Sequence, residues 1–202
     1  MASIYLIRHT KPLVEKGTCY GQSDLDITDS FEAEAAVIRN CLPSAELQIY
    51  SSPLQRCRKL ALRLFPNAEI RFENALMEIH CGDWEMKRWD DLPREDLDRW
   101  MNDYVQVRIP GGESYIDLFE RVIRVYTELE LKNENCAIVA HGGVIRSILS
   151  YITGTSLLES FSRFSLHYGC VIRLDKGIGK TNHTVLSNIV PEDREQHKPS
   201  AR

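Results

Sequence analysis

The sequence predicts an α/β fold in three layers: a mostly parallel sheet with helices on both faces and an antiparallel hairpin at the C-terminal end. Ile4–Ile7 and Ala137–Ala140 are short continuous apolar runs, which is typical of strands covered on both faces. Helical patterns alternate with these strands, as in sheets of parallel strands. Near the end, Val171–Leu174 and Thr184–Ile189 flank the turn-forming stretch DKGIGK, which predicts the hairpin.

The elements between these strands follow from shorter signals. Leu47–Tyr50 is a weaker third strand that ends at SSP. Apolar residues at helical spacing predict three helices, which begin at Phe31, after Ser52 and after Ser114. Ser52 is interpreted as the N-cap of the second helix, with Pro53 at its first position. The stretch SYID that begins at Ser114 reads as a capping box.

The chain of 202 residues is long enough for one domain with a full core. We expect residues 1–190 to form that domain. Residues 84–104, rich in Trp, Asp and Arg, are expected to be a largely helical excursion over the active site. Residues 191–202 (PEDREQHKPSAR) contain almost nothing apolar, which predicts a disordered tail.

Composition excludes several classes of partner. A net charge of −4 argues against nucleic acid and against an anionic membrane surface. No apolar stretch approaches the roughly 20 residues that span a bilayer. Six scattered cysteines without a C-x-x-C pair, in a sequence without an export signal, predict free thiols and a cytoplasmic protein. A homodimer stays open.

A histidine directly follows each of the two clearest strands. His9 follows Ile4–Ile7 by one residue, and His141 follows Ala137–Ala140. Ligands of an open parallel sheet bind beyond the carboxyl ends of its strands, so both imidazoles should face one crevice if the two strands are neighbours. Gly142 would let a ligand approach the backbone at the start of the next helix. Each histidine alone could simply cap its strand, but the coincidence of two favours a site.

Two arginines near these histidines are candidates for binding an anion. Arg8 would point away from His9 in an extended strand, so a turn is needed to bring both to one ligand. Arg56 falls in the first turn of the second predicted helix, where an anion is favoured and a guanidinium fork suits phosphate. On position alone, the alternative is a solvated basic face formed with Lys59 and Arg63.

Glu78 is the candidate proton donor, because it follows an apolar pair and precedes a Gly-Asp turn. An ordinary surface glutamate is the alternative. His9, His80 and His141 have no metal-site spacing such as H-E-x-x-H, and neighbouring arginines would repel a cation. We therefore expect no metal and no organic cofactor.

Five motifs, in this order, resemble those of the histidine phosphatase superfamily, which has the phosphoglycerate-mutase-like fold: LIRHT, SSPLQR, LMEIHCGDWE, PGGES and AHGGVIR. The resemblance covers the chain from about residue 3 to residue 150. The segment GTCYGQSDLDIT is similar to that of the α-ribazole-5′-phosphate phosphatase branch, which serves cobalamin synthesis.

The resemblance implies a role for each core residue. His9 would be the nucleophile that becomes phosphorylated, and Glu78 the proton donor. The residues that would hold the phosphoryl group are Arg8, Arg56, His141 and Gly142. Tyr20 and Gln22 are expected to contact the substrate.

The resemblance thus implies a metal-independent phosphomonoesterase that acts on a small-molecule phosphate ester, with α-ribazole 5′-phosphate as the candidate substrate. Three alternatives stay open. A phosphoglycerate-type mutase would return the phosphoryl group to the substrate instead of losing it to water. A phosphoprotein phosphatase and a non-catalytic phospholigand sensor are the others, although a sensor needs no acid such as Glu78.

Overall fold

The computed structural model describes residues 2–177 and 181–190. Its strands are β1 Ser3–Arg8, β2 Gln48–Ser51, β3 Ile70–Phe72, β4 Cys136–Ala140, β5 Val171–Lys176 and β6 Thr181–Ser187. Its α-helices are α1 Phe31–Asn40, α2 Gln55–Leu64, α3 Arg94–Asn102, α4 Tyr115–Lys132, α5 Gly142–Thr153 and α6 Ser160–Arg163. Short 3-10 turns span Asn74–Leu76, Gly82–Trp84 and Trp89–Asp91.

The six strands form one sheet in the order β3-β2-β4-β1-β5-β6. The first four are parallel to one another, whereas β5 is antiparallel to β1 and β6 is antiparallel to β5. The predicted α/β class and the C-terminal antiparallel pair are confirmed. β1 and β4 are neighbours at the centre of the sheet, so their carboxyl ends open at the same edge.

Each face of the sheet packs against its own helices. On one face, Ile4 and Leu6 of β1 pack with the buried side chains of α4 and α5. On the other, Tyr5 and Ile7 pack with those of α1 and α2. The alternation of side chains along β1 therefore supplies both cores, which is why the strand reads as an unbroken apolar run.

The start of α2 differs from the prediction. The helix begins at Gln55, and its N-cap position is Leu54, whose extended backbone (φ −62°, ψ 139°) precedes the first helical turn. Ser52 was therefore wrongly interpreted as the cap. By contrast, Ser114 and Asp117 form the capping box of α4 that the sequence predicts. The short strand β3 was not predicted, because three residues carry too little pattern.

Residues 81–109 pack around a small aromatic core of their own. Trp84 lies 6.1 Å from Trp89 and 5.6 Å from Trp100, measured between ring centroids. Cys19, Cys81 and four apolar residues complete this cluster. Residues 84–104 contain all of α3, the 3-10 turn Trp89–Asp91 and the last residue of the turn Gly82–Trp84, so this segment is largely helical. Its position over the active site stays a prediction.

Other expectations concern the chain as a whole. All six cysteines carry free thiols. Within the described part of the chain, no helix is long and apolar enough to cross a bilayer. The predicted tail at 191–202 and the last residues of the hairpin turn, 178–180, lie outside the described residues.

Candidate active site

The two histidines meet at the carboxyl ends of β1 and β4. The His9 backbone N–H donates to the carbonyl of Ala140, at 3.0 Å, which continues the pairing of the two strands by one residue. The His9 and His141 rings are 5.1 Å apart between centroids, in an edge-to-face arrangement. Both are buried. The structure thus brings together the two side chains that the apolar runs place at one sheet edge.

One hydrogen bond defines the tautomer of His9. Its Nδ1 lies 2.7 Å from the carbonyl oxygen of Thr10. A carbonyl only accepts hydrogen bonds, so Nδ1 must carry the proton of the neutral ring. The lone pair of the neutral imidazole is therefore on Nε2, which is the nucleophilic atom.

His141 is held in its neutral form. Burial, followed by electrostatic repulsion from Arg56 and from the neighbouring His9 ring whenever that ring is protonated, lowers the pKa of His141 well below its ordinary 6.5. Its Nε2 lies 2.8 Å from the hydroxyl of Ser52 and 3.4 Å from Sγ of Cys57. Ser52 is thus a partner of the buried histidine rather than the cap of α2.

Arg8 ends β1 on the same side as His141. One of its terminal nitrogens donates to the carbonyl of Leu166, at 2.5 Å. The ring of Tyr168 lies over the guanidinium, with Cζ 4.2 Å from the ring centroid. The Cα of Gly142 passes so close that a Cβ there would stand 3.4 Å from the guanidinium carbon. Arg8 therefore reaches the start of α5, next to His141.

Arg56 is fully buried at the start of α2. It donates to the carbonyls of Gly21, at 2.6 Å, and Ser23, at 2.8 Å. Lys59 and Arg63, by contrast, are largely exposed and paired with surface carboxylates. The alternative of a solvated basic face was therefore wrong for Arg56.

Three buried polar atoms around His9 have no hydrogen-bond partner among the described residues: Arg8 Nε, Thr10 Oγ1 and Arg56 Nε. Unsatisfied buried donors are rare in folded proteins and need an explanation. Five other buried polar atoms are also unpartnered, on Trp89, Trp100, Tyr115, Arg146 and Ser150, but these three belong to residues beside the two histidines, where a bound oxyanion would supply acceptors. The orphaned donors thus indicate an anion site.

Glu78 lies against the first turn of α5. Its Oε2 accepts from the backbone N–H of Gly143, and its Oε1 from that of Ile79, each at 3.0 Å. A Cβ at position 143 would stand 2.2 Å from the Glu78 carboxylate, so only glycine permits this approach. The second glycine of AHGGVIR thus makes room for the candidate acid.

The loop that contains Tyr20 and Gln22 is hydrogen-bonded to Glu78 and Glu85 of the LMEIHCGDWE motif. The backbone N–H groups of residues 21–23 all donate to the carboxylate of Glu85. Burial opposes ionisation of Glu85, but the hydrogen bonds from Ser23 and from residues 21 and 22 outweigh it and lower its pKa. The Gln22 side-chain amide donates to the carbonyl of Glu78. The hydroxyl groups of Tyr20 and Tyr168 are hydrogen-bonded to each other. Whether Tyr20 and Gln22 touch a substrate stays a prediction.

Sequence reasoning missed three residues that shape this site. Tyr168 stacks on Arg8 and Glu85 fastens the loop. Arg121 binds Glu113 with two hydrogen bonds and also donates to the carbonyl of Glu78. Tyr168 and Glu85 lie far along the chain from the groups that they hold, and Arg121 lies 43 positions from Glu78, so no local pattern indicates these contacts.

The residue set of the site suits an anion. Across residues 2–177 and 181–190, no three His, Cys, Asp or Glu side chains are grouped so that they could hold a metal ion. A fully buried arginine (Arg56), a partly buried arginine (Arg8), two histidines and one carboxyl come together at this edge of the sheet instead. This combination of positive charge, an imidazole lone pair and an acid can support phosphoryl transfer.

Known proteins are similar to this chain in sequence and in fold. Phosphoserine phosphatase 1 of Hydrogenobacter thermophilus is 27% identical, covering 84% of this chain and 82% of that protein. An adenosylcobalamin/alpha-ribazole phosphatase of Salmonella typhimurium is 25% identical, covering 92% and 96%. The crystal structure of an alpha-ribazole phosphatase from Shigella flexneri superimposes with a TM-score of 0.82 at 24% identity, covering 94% of this chain and all of that one.

The family profile described as "Histidine phosphatase superfamily (branch 1)" matches residues 4–188, nearly the whole described chain. That range includes both strand-end histidines, the two arginines Arg8 and Arg56, and Glu78. The relatives and structural neighbours named above are phosphatases. The chain belongs to the histidine phosphatase superfamily.

Proposed function

We propose that this chain is a metal-independent phosphomonoesterase that hydrolyses a small phosphate ester through a phosphohistidine at His9. The observation that carries the proposal is the hydrogen bond from His9 Nδ1 to the Thr10 carbonyl. It leaves the lone pair on Nε2, and the neighbouring Arg8 and Arg56 each have a buried Nε without a partner among the described residues. A nucleophile beside an anion site is what transfer to histidine requires.

In the first step, His9 Nε2 attacks phosphorus and forms an N–P bond as the bond from phosphorus to the ester oxygen breaks. Arg8 and Arg56 stabilise the negative charge on the equatorial oxygens. His141 is neutral because its pKa is lowered, so it acts as a hydrogen-bond donor rather than as a third cation. Protonated Glu78 gives its proton to the departing alkoxide.

In the second step, water attacks the phosphorus of phospho-His9. Glu78, now a carboxylate, accepts a proton from that water, and the N–P bond breaks to release orthophosphate. The N–H groups of Gly143 and Ile79 hold the carboxylate in place for both steps. The enzyme ends in its starting state, with no external co-reactant except water.

Two substrates have support. The segment GTCYGQSDLDIT and the 25% identity to the Salmonella enzyme favour α-ribazole 5′-phosphate. The 27% identity to phosphoserine phosphatase 1 favours phosphoserine as the second candidate. We place α-ribazole 5′-phosphate first because the segment similarity supports it in addition to the overall identity.

The test is release of orthophosphate in the presence of EDTA. Wild type and His9→Ala are compared on α-ribazole 5′-phosphate, phosphoserine and 3-phosphoglycerate. We expect hydrolysis of α-ribazole 5′-phosphate by wild type, and loss of about 10⁴-fold or more in the variant, as when other covalent nucleophiles are removed.

Each other result would change the proposal in a definite way. Turnover of phosphoserine alone would keep the chemistry and replace the substrate. Formation of 2-phosphoglycerate from 3-phosphoglycerate would identify a mutase. Activity that EDTA abolishes, or that His9→Ala retains, would contradict the phosphohistidine route.

A further inference from the structure

Tyr168 lies between α6 and β5, and the main chain of the nucleophile holds it in place. The N–H of Gly169 donates to the His9 carbonyl at 3.1 Å, and the N–H of Arg8 donates to the Cys170 carbonyl at 3.0 Å. Gly169 has φ +70°, a left-handed conformation that suits glycine. The segment around Tyr168 is therefore fastened directly to Arg8 and His9.

The Tyr168 ring contacts two groups of the pocket. It lies over the Arg8 guanidinium, 4.2 Å from Cζ, and its centroid is 5.5 Å from that of the His9 imidazole. A ring stacked on a guanidinium leaves the in-plane N–H groups available. One terminal nitrogen of Arg8 is already used by the Leu166 carbonyl. The ring and this carbonyl together fix the direction of the remaining donors, which include the unpartnered Nε.

A second tyrosine extends this contact to the other arginine. The hydroxyls of Tyr20 and Tyr168 are 2.7 Å apart, and the Tyr20 ring centroid lies 5.5 Å from Cζ of Arg56. Burial raises the pKa of Tyr20 well above its ordinary 10.0, so its phenol stays protonated. Contacts therefore run without a break from Arg8 through both tyrosines to Arg56.

We propose that Tyr168 is a positioning residue for phosphoryl binding, and that its hydrogen bond to Tyr20 couples Arg8 and Arg56 into one clamp. The inference rests on the proposed function and extends it to two side chains outside the five motif residues. Because the tyrosines act on the arginines, they should affect binding of the tetrahedral oxyanion and leave proton transfer by Glu78 unchanged.

Four variants test this: Tyr168→Leu, Tyr168→Phe, Tyr20→Phe and the double Phe variant. Three measurements are made in EDTA. Calorimetry gives the Kd of inorganic phosphate, steady-state kinetics from pH 5 to 8 give kcat and KM for p-nitrophenyl phosphate, and thermal unfolding gives the melting temperature. Loss of the stacked ring in Tyr168→Leu should raise the phosphate Kd about 10-fold. Each single Phe variant should raise it about 3-fold, since one hydrogen bond is removed.

Coupling of the two arginines through the tyrosine pair can be detected in the phosphate Kd of the double Phe variant. The double Phe variant should bind phosphate as tightly as either single variant, because both substitutions remove the same hydrogen bond. The pH profile of kcat should keep its shape in all four. Independent effects, which multiply in the double variant, would overturn the coupled clamp.

A matched control separates positioning from packing. Tyr50→Leu removes another tyrosine whose ring faces two cations, Arg71 and Lys132. It should lower the melting temperature without changing the phosphate Kd. If Tyr168→Leu behaves in the same way, Tyr168 is only a packing residue and the proposal is wrong. The phosphate Kd does not depend on turnover, so failure of the His9 chemistry would be seen separately in the His9→Ala assay.

Discussion

Two sets of partly or fully buried charges lie side by side in this protein, and they differ in how completely they are paired. Arg121 and Glu113 form a bidentate ion pair, and Arg121 also donates to the carbonyls of Ala75, Met77 and Glu78. All its N–H groups are used. Arg8 and Arg56 donate only to backbone carbonyls, and each keeps an unpartnered Nε.

The glutamates show the same contrast. Glu85 accepts five hydrogen bonds from Gly21, Gln22, Ser23 and Cys81. Glu78 accepts two in the structure, both from backbone N–H groups. The fully paired charges hold the loops in place, and the proposed catalytic groups are less completely paired. Incomplete pairing alone does not identify such a group, because Arg146 also has a buried Nε without a partner among the described residues.

The largest expected difference between the two sets concerns the carboxylates. Glu78→Gln keeps the shape of the side chain but cannot give or accept the proton, so kcat for an alkyl phosphate should fall about 10²–10⁴-fold. With p-nitrophenyl phosphate, whose leaving group needs no proton, the loss should be smaller. Steady-state kinetics on both esters measure this.

Glu85→Gln is the matched control for that variant. It should lower the melting temperature through weaker loop hydrogen bonds, while the ratio of rates on the two esters stays that of wild type. An unchanged kcat in Glu78→Gln would remove Glu78 as the acid.

The arginines provide the second difference. Arg56→Met removes a donor to the equatorial oxygens, and we expect kcat/KM to fall about 10²–10³-fold, as for loss of an oxyanion-hole donor. The phosphate Kd, measured by calorimetry, should rise in parallel. A variant that binds phosphate as wild type does would place Arg56 among the scaffold residues.

Arg121→Met tests the fully paired set of charges. Removing one partner of a largely buried ion pair leaves Glu113 uncompensated, which should lower the free energy of unfolding by about 3 kcal/mol. Urea unfolding at pH 7 measures it. Stability close to that of wild type, combined with a loss of activity like that of Arg56→Met, would show that pairing does not separate the two sets.

A third prediction concerns the pH dependence of stability, because His141 is buried and neutral. Its pKa lies well below 6.5 in the folded protein, so between that lowered value and 6.5 the unfolded chain binds a proton that the folded chain does not. Stability should therefore fall as the pH drops below 6.5, by up to about 1.4 kcal/mol per pH unit. Urea unfolding between pH 5 and 8 measures the slope. It should be shallower in His141→Gln, and equal slopes would contradict the assignment.

The smallest expected effect concerns Thr10. Its buried hydroxyl has no partner among the described residues, and Thr10→Val keeps the shape of the side chain while removing that group. If the hydroxyl donates to phosphate, the phosphate Kd should rise about 3- to 10-fold, which is the net contribution of one typical hydrogen bond. Tighter binding by the variant would show that the hydroxyl has another role.

The sequence predicts the parts of the site that depend on local pattern. Buried parallel strands read as apolar runs, so the positions of His9 and His141 at one sheet edge follow from the residues before them. The capping box at Ser114 is equally local and is confirmed. These features need only neighbouring residues, which is why they can be predicted.

The remaining features depend on residues far apart in the chain. Arg56 reads as part of a solvated face, because the carbonyls that satisfy it come from Gly21 and Ser23 in another loop. Ser52 reads as a helix cap, but its hydroxyl binds His141, 89 positions away. In both cases tertiary contacts determine the role of the side chain, and such contacts cannot be deduced from a local sequence pattern.

Transfer of the phosphoryl group to His9 can be tested by trapping the phosphohistidine intermediate. Wild type and His9→Ala are mixed with ³²P-labelled substrate in EDTA, quenched in alkali after milliseconds, and digested for peptide mapping. We expect an acid-labile, alkali-stable phosphate on the peptide that contains His9 in wild type, and none in the variant. Label on another residue, or rapid hydrolysis without any label in wild type, would contradict it.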